Sequence, residues 1–437
     1  MHIAWLGKKS PFCGNVTYGR EVTNLLLDRN YRVSFLHFDQ GEDPKEEPQD
    51  SLQEDGILNQ LDLGANPTAA SPSATTMLVT CEGDICREVS IPCIYKSQIY
   101  TIPSPRASRV LTESLRCLNP DIVHASLTLS PLDFRLPDIC EELGIPLVAT
   151  FHPPFDHKLR NLTSGTQHLT YQLYAPALAR YDRVIVFSEI QRELLIRLGV
   201  PGDRLRVIPN GVDVDRYCPG PATFKEERGI DRLFVYQGRI APEKNVEALL
   251  KAWKAANLPP TCRLLIVGDG PLKASLELFY GAEDQGITWW GFEAQEDRRI
   301  EILQSADVFI LPSFVEGLSL SLLEAMACGV ACLATDAGAD GEVLEHGAGI
   351  VLNPQRCVAQ LQTLLPLFSD HPEMAVILGQ KARNRTLDRY SLSKNITLLE
   401  DLYRELGRSQ PHPSPSFSPE SNAPGAVLAL AAEGLEG

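Results

Sequence analysis

The sequence lacks any apolar run that approaches the roughly 18–20 residues needed to span a bilayer as a helix. Its amino terminus, "MHIAWLG", enters a strand pattern at once, so we expect no secretory signal peptide. Any contact with a membrane is therefore expected to come from the surface.

Positive charge is also scarce. Lys and Arg number 40 against 56 Asp and Glu, which gives a net charge of -16 and argues against broad electrostatic binding to nucleic acid. The excess is uneven, because residues 41–60 contain seven acidic residues and one lysine. We expect no nucleic-acid partner, while local basic patches elsewhere stay possible.

The 11 cysteines are odd in number and include no CxxC pair. Several lie in apolar runs, among them Cys262, Cys328 and Cys332, as small hydrophobic residues do in a reducing compartment. Without a CxxC pair, a metal site at the cluster of Cys81, Cys86 and Cys93 is disfavoured.

The chain of 437 residues is longer than one hydrophobic core usually supports, and short apolar runs alternate with amphipathic stretches throughout. We predict two α/β domains with parallel sheets, residues 1–200 and 201–385, and a helical segment, Ala375–Leu406, that breaks near Ser391. An acidic, Ser/Thr/Pro/Ala-rich stretch at 41–76 is predicted to be a flexible insertion, and residues 408–437 a disordered tail.

The segment "SFVEGLSLSLLEAMACGV" contains two acids, Glu316 in a strand-end loop and Glu324 on a helix that starts near Ser319. The N–H groups of Gly317, Leu318 and Ser319 are predicted to point outward and favour an anion or a polar oxygen. Glu324 lies among apolar residues and needs a hydrogen-bonding partner, such as a pair of ribose hydroxyls. By itself, the spacing also fits an ordinary solvated helix face.

Two other strand-end loops carry candidate binding groups. Arg239 and Lys244 lie five residues apart in "YQGRIAPEKN", where two cations suit a diphosphate, although surface loops often carry such residues. Gly268 in "LLIVGDGPLK" permits close backbone approach to a ligand or simply a tight turn. A glycine-rich turn with Glu342 follows a further strand in "TDAGADGEVLEHGAGIVL".

Together, these four motifs, in order and at this spacing, closely resemble the donor-binding half of the retaining family 4 glycosyltransferases. The resemblance implies the GT-B fold, in which two Rossmann-like, doubly wound domains face a cleft. It also implies that a C-terminal helix, residues 386–407, crosses back to the first domain.

The resemblance also implies roles for individual residues. Arg239 and Lys244 would hold the diphosphate of a nucleotide-sugar without a metal ion or cofactor, and Glu324 would bind the ribose. Glu316 would face the sugar, with the amides of Gly317, Leu318 and Ser319 against sugar or phosphate oxygens. His152, which ends "PLVATFH", would lie under the donor sugar near the reaction centre, although a lone histidine is more often structural.

The loop after the first strand, "GKKSPFCGN", is expected to line the cleft near the phosphates. It has Gly14–Asn15 where the family usually has a Gly-Gly pair. It is also not a GxGxxG loop, because Gly7 and Gly14 are too far apart, so a dinucleotide-dependent oxidoreductase is disfavoured.

Acceptor choice is expected in the first half, where several cations could form a basic lip that docks on anionic lipid headgroups. These cations are Lys8, Lys9, Lys96, Arg106, Arg109 and Arg116. From the residues alone, an ordinary solvated charged face is the favoured explanation.

The first half, especially "IAWLGKKSPFCGNVTYGREVTNLLLDR", is similar to the bacterial-type digalactosyldiacylglycerol synthases of oxygenic phototrophs. That similarity implies transfer of galactose from UDP-galactose to monogalactosyldiacylglycerol. It also implies a peripheral enzyme on the cytoplasmic face of a photosynthetic membrane, thylakoid or plasma.

Three alternatives stay open. The chain could be a family 4 transferase with a soluble sugar or glycan acceptor, or a non-catalytic nucleotide-sugar-binding protein. A nucleotide-sugar epimerase on the same fold is disfavoured, because the cleft motifs contain no additional acid/base set. The oligomeric state is open.

Overall fold

The computed structural model describes residues 1–9, 14–39, 76–81, 84–97, 100–155, 162–221, 223–281 and 286–408. The predicted insertion at 41–76 and the predicted tail at 408–437 lie outside the described residues, apart from Thr76 and Arg408.

The strands are mostly short. In chain order they are β1 (His2–Gly7), β2 (Arg32–Asp39), β3 (Thr76–Cys81), β4 (Asp84–Lys96), β5 (Thr101–Pro103), β6 (Ile122–Ser126), β7 (Leu147–Thr150), β8 (Arg183–Val186), β9 (Leu205–Val207), β10 (Arg232–Gln237), β11 (Cys262–Val267), β12 (Ile287–Gly291), β13 (Val308–Leu311), β14 (Ala331–Thr335) and β15 (Ile350–Leu352). Five central strands, β1, β6, β7, β13 and β14, are buried along their whole length.

The helices connect these strands and cover the sheets. They are α1 (Gly14–Asp28), α2 (Ala107–Leu118), α3 (Leu136–Leu143), α4 (Leu162–Leu178), α5 (Glu189–Arg197), α6 (Thr223–Glu226), α7 (Val246–Ala256), α8 (Lys273–Tyr280), α9 (Glu296–Ser305), α10 (Leu320–Ala327), α11 (Asp340–Val343), α12 (Cys357–Asp370), α13 (Pro372–Arg389) and α14 (Leu392–Arg408). None of the helices in the described ranges is both long and apolar enough to cross a bilayer.

The second half forms an all-parallel sheet in the order β12-β11-β10-β13-β14-β15. The strand order reverses between β10 and β13, so the loops that follow these two strands meet at the carboxyl edge. In open α/β sheets that point is where ligands bind.

The first half forms a sheet in the order β3-β4-β2-β1-β6-β7-β8-β9, with β5 paired to β4. Its strands are parallel except for β3 and β5, which run antiparallel to β4. The order reverses between β1 and β6, so the loops after these strands also meet at one edge. The predicted architecture of two doubly wound α/β units is therefore confirmed.

The helical segment is interrupted at Tyr390–Ser391, between α13 and α14. The second helix, α14, packs against the first half. The Tyr403 hydroxyl hydrogen-bonds the buried His124 ring of β6. Arg29 Nη1 donates to Glu400 Oε2 at 3.0 Å. The helix that crosses back to the first sheet is thus present.

The sequence interpretation differs from the structure in two places. The predicted second domain begins at residue 201 and so includes β9, whereas β9 pairs in parallel with β8 as the last strand of the first sheet. The short crossover through α5 returns the chain beside β8, as right-handed βαβ connections do. The interpretation also missed the β3–β5 strands and α4, while the predicted domain bounds themselves stay predictions.

Candidate active site at the interdomain cleft

Lys244 and Glu316 form an ion pair at the switch point of the second sheet. Lys244 ends a 3-10 turn after β10, and its Nζ donates to Glu316 Oε1 at 2.6 Å. Ser313 Oγ donates to the same carboxylate oxygen at 2.7 Å. Because Glu316 is only 8% exposed, this arrangement holds a nearly buried carboxylate beside one cation.

Arg239 follows the same strand at a more exposed position. The Tyr236 hydroxyl donates to its backbone carbonyl at 2.7 Å, and its guanidinium lies 3.9 Å from Glu243 Oε1. Since its side chain is 48% exposed, it can rotate toward a bound anion from the rim of the cleft.

Glu324 lies on α10 and accepts a hydrogen bond from Gln237 Nε2 at 2.9 Å. Burial raises the pKa of Glu324 to about 7, the nearby Arg299 opposes the rise, and the charges of Glu21 and Glu296 add to it. Gln237 is the last residue of β10, and Glu21 comes from α1 of the first half. Gln237 could have been predicted as a site residue from the sequence, because it is a polar residue at the end of an apolar strand. No sequence pattern indicated Glu21.

The glycines at the end of β11 are required by contacts within the chain. Gly268 and Gly270 adopt φ of 138° and 157°, and a Cβ at Gly268 would overlap the carbonyl oxygen of Gly238. The two strand-end loops therefore pack backbone to backbone. Gly14 is different, because it begins α1 and a Cβ there would meet open space.

The turn that begins α10 is held by the loop after β14. Ser319 N donates to Asp340 Oδ1 at 3.0 Å, and Ala339 N donates to the Gly317 carbonyl at 2.7 Å. The Ser319 amide is therefore not free for a ligand, and the prediction that it points outward was wrong. A buried acid can satisfy a helix-start amide that the sequence alone shows as unpaired.

Asp340 itself was missed as a site residue. It is 1% exposed, and burial together with the charge of Glu316 raises its pKa well above the usual range. Within the described residues its Oδ2 has no hydrogen-bond partner. Two acids following a strand end, Asp336 and Asp340, were the only sequence signal.

His152 follows β7 and faces the cleft from the first half. Its Nε2 lies 2.7 Å from Ser126 Oγ, and its ring makes an edge contact with Tyr18 at 5.0 Å. Burial, assisted by the charge of Lys8, lowers the pKa of His152 to about 3. The ring is therefore neutral near pH 7.

Lys8 lies inside the first half and not on a basic lip. It is 5% exposed, and its Nζ donates to the Ser97 carbonyl at 3.1 Å. The predicted lip is thus wrong at this position, because the loop after β1 turns the side chain inward beneath the hairpin that joins β4 to β5.

Lys96 is half-buried and donates to the Phe38 carbonyl at 3.4 Å. The remaining four predicted lip cations are exposed, and three of them pair with neighbouring acids. These pairs are Lys9 with Glu88 at 2.5 Å, Arg109 with Glu113 at 3.6 Å and Arg116 with Glu142 at 3.2 Å. Exposed pairs of this kind contribute about 0–1 kcal/mol. They are solvated and remain available to another anion.

The two halves touch across the site. Phe155 N donates to the Glu316 backbone carbonyl at 3.4 Å. The Glu342 carboxylate accepts from Glu189 N at 3.1 Å and from Ile190 N at 3.4 Å, at the start of α5. His152 and the donor-side candidates thus border one cleft.

Two protein-family models match the chain on either side of this cleft. The model described as Glycosyltransferase Family 4 matches residues 14–216, and the model described as Glycosyl transferases group 1 matches residues 231–370. The two models together match most of the chain, and each describes a glycosyltransferase domain.

Curated proteins similar to this chain are named for different sugars. This chain is 29% identical to the sulfoquinovosyl transferase of Arabidopsis thaliana over 68% of this chain and 59% of that protein. It is 27% identical over 51% of this chain and 60% of the other to a UDP-galactose-dependent α-1,3-galactosyltransferase of Escherichia coli. The chain therefore spans less than two thirds of either relative.

Solved structures share the fold of this chain. Sucrose-phosphate synthase of Thermosynechococcus elongatus superposes with a TM-score of 0.68 at 19% identity, covering 94% of this chain and all of that one. Anabaena Alr3699/HepE in complex with UDP-glucose gives 0.65 at 15% identity, covering 93% and 100%. At these identities the likeness establishes the GT-B fold alone.

Proposed function

We propose that this glycosyltransferase moves a hexosyl group from a UDP-sugar to an acceptor hydroxyl with retention of configuration. The specific reaction is transfer of galactose from UDP-galactose to monogalactosyldiacylglycerol, which yields digalactosyldiacylglycerol. The enzyme works from the cytoplasmic face of a photosynthetic membrane and needs no metal ion.

The donor side of the proposal rests chiefly on the Lys244–Glu316 pair at the switch point between β10 and β13. A diphosphate bound at the carboxyl edge of the second sheet would contact Lys244, beside the buried Glu316 carboxylate, and the more exposed Arg239. Two protein cations can neutralise a departing diphosphate, as a divalent metal does elsewhere. Glu324 would accept the ribose hydroxyls in its ionised form.

The chemistry breaks the bond between the anomeric carbon and the diphosphate and forms a bond to the acceptor oxygen on the same face. The acceptor proton passes to the departing phosphate. A retaining glycosidase would instead need a pair of carboxyl groups about 5 Å apart, one of them a nucleophile. Glu316 is a poor nucleophile here because its Oε1 already accepts from Lys244 and Ser313.

The neutral His152 ring supports a positioning role near the sugar. Its Nε2 is engaged with Ser126, so Nδ1 is the nitrogen left to hydrogen-bond a hydroxyl of the donor sugar. Because burial keeps its pKa near 3, the ring adds no positive charge beside the developing oxocarbenium ion. Contacts across the cleft, such as Phe155 with Glu316, would help exclude water.

The test is incubation of the full chain with radiolabelled UDP-galactose or UDP-glucose and dispersed monogalactosyldiacylglycerol, followed by chromatography of the lipids. Label from UDP-galactose in a digalactolipid is expected. Label confined to water-soluble products would refute the lipid acceptor. Binding of UDP-sugars without any transfer would refute the proposal that the chain is an enzyme.

The donor sugar needs its own comparison, because one relative is a sulfoquinovosyl transferase and another uses UDP-galactose. Parallel reactions with UDP-galactose, UDP-glucose and UDP-sulfoquinovose should favour galactose in kcat/KM. A preference for either other sugar would overturn the galactose assignment and leave the donor-site assignment intact.

A further inference from the structure

The strands β4 and β5 form a hairpin that projects past the carboxyl edge of the first sheet. The pairing of β2 with β4 ends at Asp39 and Pro92, yet β4 continues to Lys96. That continuation pairs antiparallel with β5, with Tyr95 opposite Ile102. The hairpin therefore extends beyond the same edge that carries His152 and the cleft.

One face of this hairpin is exposed and apolar. Tyr95 and Ile102 lie opposite each other and share a face, and Tyr100 joins them because the intervening Thr101 is buried. The Tyr95 and Tyr100 rings lie 5.5 Å apart. We call Tyr95, Tyr100 and Ile102 the hairpin face.

The hairpin is hydrogen-bonded to the loops that border the cleft in the first half. Lys8 donates to the Ser97 carbonyl at 3.1 Å, and Thr101 N donates to the Leu129 carbonyl at 3.4 Å. Leu129 belongs to the loop after β6, and Lys8 follows β1, so both contacts come from the switch point of the first sheet. Whatever binds the hairpin face is thereby held beside the acceptor side of the cleft.

Cations follow the hairpin directly in the chain. Arg106 and Arg109 lie at the start of α2, and both are exposed. Arg109 pairs only at the surface with Glu113, at 3.6 Å, so its guanidinium can exchange that partner for another anion. Tyrosine and isoleucine side chains can enter the boundary between lipid headgroups and acyl chains, and neighbouring arginines can bind the headgroup phosphates.

We propose that the hairpin face inserts into the headgroup region of a bilayer that contains anionic lipid, with Arg106 and Arg109 against lipid phosphates. This inference deepens the proposed function, since it rests on a lipid acceptor and assigns the surface that presents it. The occupant is a bilayer because an exposed tyrosine–isoleucine face beside two exposed arginines lies beyond the sheet edge that borders the cleft. The net charge of -16 requires that attraction be local, as these two cations provide.

The test is flotation of the full chain with vesicles of phosphatidylcholine and phosphatidylglycerol, without any sugar donor. The triple variant Tyr95→Ser, Tyr100→Ser and Ile102→Ser should bind vesicles about tenfold more weakly, with unchanged melting temperature and UDP affinity. The matched control is Leu278→Ser with Phe279→Ser on α8, which are 82% and 72% exposed. This control should float like the unmodified chain.

The charged part is tested by Arg106→Glu with Arg109→Glu, which should weaken binding to these vesicles and remove its dependence on phosphatidylglycerol. The proposal fails if the unmodified chain does not float, or if the triple variant floats equally well. It also fails if sedimentation shows a dimer that the triple variant abolishes, because the hairpin face would then bind a second copy.

Transfer assays separate this inference from the proposed function. With monogalactosyldiacylglycerol dispersed in detergent, the triple variant should match the unmodified chain, while with vesicles it should be slower. A chain that floats through the hairpin face yet labels no lipid would refute the acceptor and leave the docking surface standing. A chain that labels dispersed lipid but never floats would refute the docking surface alone.

Discussion

The Lys244 ammonium lies 2.6 Å from the Glu316 carboxylate, although 72 residues separate them in the chain. The two loops meet because β10 and β13 are parallel neighbours in the sheet. A nearly buried carboxylate with one cationic partner positions that cation toward the cleft, where a diphosphate would approach.

Replacing Lys244 tests that arrangement. Lys244→Ala should lower kcat by about 100-fold to 1000-fold, because the departing diphosphate loses its nearest cation. Steady-state transfer from UDP-galactose is the measurement. Lys251→Ala is the matched control, since that lysine pairs with Glu247 at the surface of α7 and should leave kcat unchanged. Equal kcat values for both variants would contradict the assigned diphosphate site.

Donor binding should depend on pH through Glu324. Its pKa of about 7 means that it is largely protonated in the free enzyme below that pH. Ribose hydroxyls favour the ionised form, so binding releases a proton at low pH and tightens as pH rises. UDP affinity, measured by calorimetry, should increase about tenfold between about pH 6 and pH 8.

Variants identify the group responsible for that pH dependence. Glu324→Gln should bind UDP weakly and without this slope. Glu21→Gln should keep the slope but move it to lower pH, because the charge of Glu21 helps raise the pKa of Glu324. Burial also raises the pKa of Glu21 to about 7. Loss of the slope in Glu21→Gln alone would assign the titration to α1 and not to the ribose contact. Glu324→Ala should likewise raise KM more than it lowers kcat.

His152 should contribute to turnover without titrating in the working range. Its pKa of about 3 keeps the ring neutral, so His152→Ala should lower kcat by about a hundredfold with no change in the pH profile above about pH 5. His371→Ala, at an exposed pair with Glu373, should behave like the unmodified enzyme. An acidic limb near pH 6.5 that vanishes in His152→Ala would contradict a neutral ring.

The two candidate glycines should respond in opposite ways to alanine. Gly268→Ala should lower the free energy of unfolding by about 3 kcal/mol, since its φ is positive and a Cβ would overlap Gly238. Gly14→Ala should change it by less than about 0.5 kcal/mol. Denaturant unfolding followed by circular dichroism measures both. Equal stability would contradict the close approach of the two loops.

Much of the fold could be predicted because central parallel strands are apolar on both faces. Continuous apolar runs such as those of β1 and β13 predict buried strands whatever their neighbours are. Glycine at position 329 predicts the end of α10, and the structure confirms it with a positive φ at Gly329. The edge strands were harder. β9 was assigned to the wrong sheet because a three-residue strand carries no information about its pairing partner.

The sequence by itself determined the strand-end loops and the residue types on them, including the two cations Arg239 and Lys244 and the two acids Glu316 and Glu324. Only the tertiary structure decided their partners. In the folded chain Lys8 points inward and the Ser319 amide donates to Asp340. Glu21 of the first half lies near Glu324 of the second. Local pattern controls which side chains leave a strand, whereas the partner of a buried polar group depends on which distant strands become neighbours.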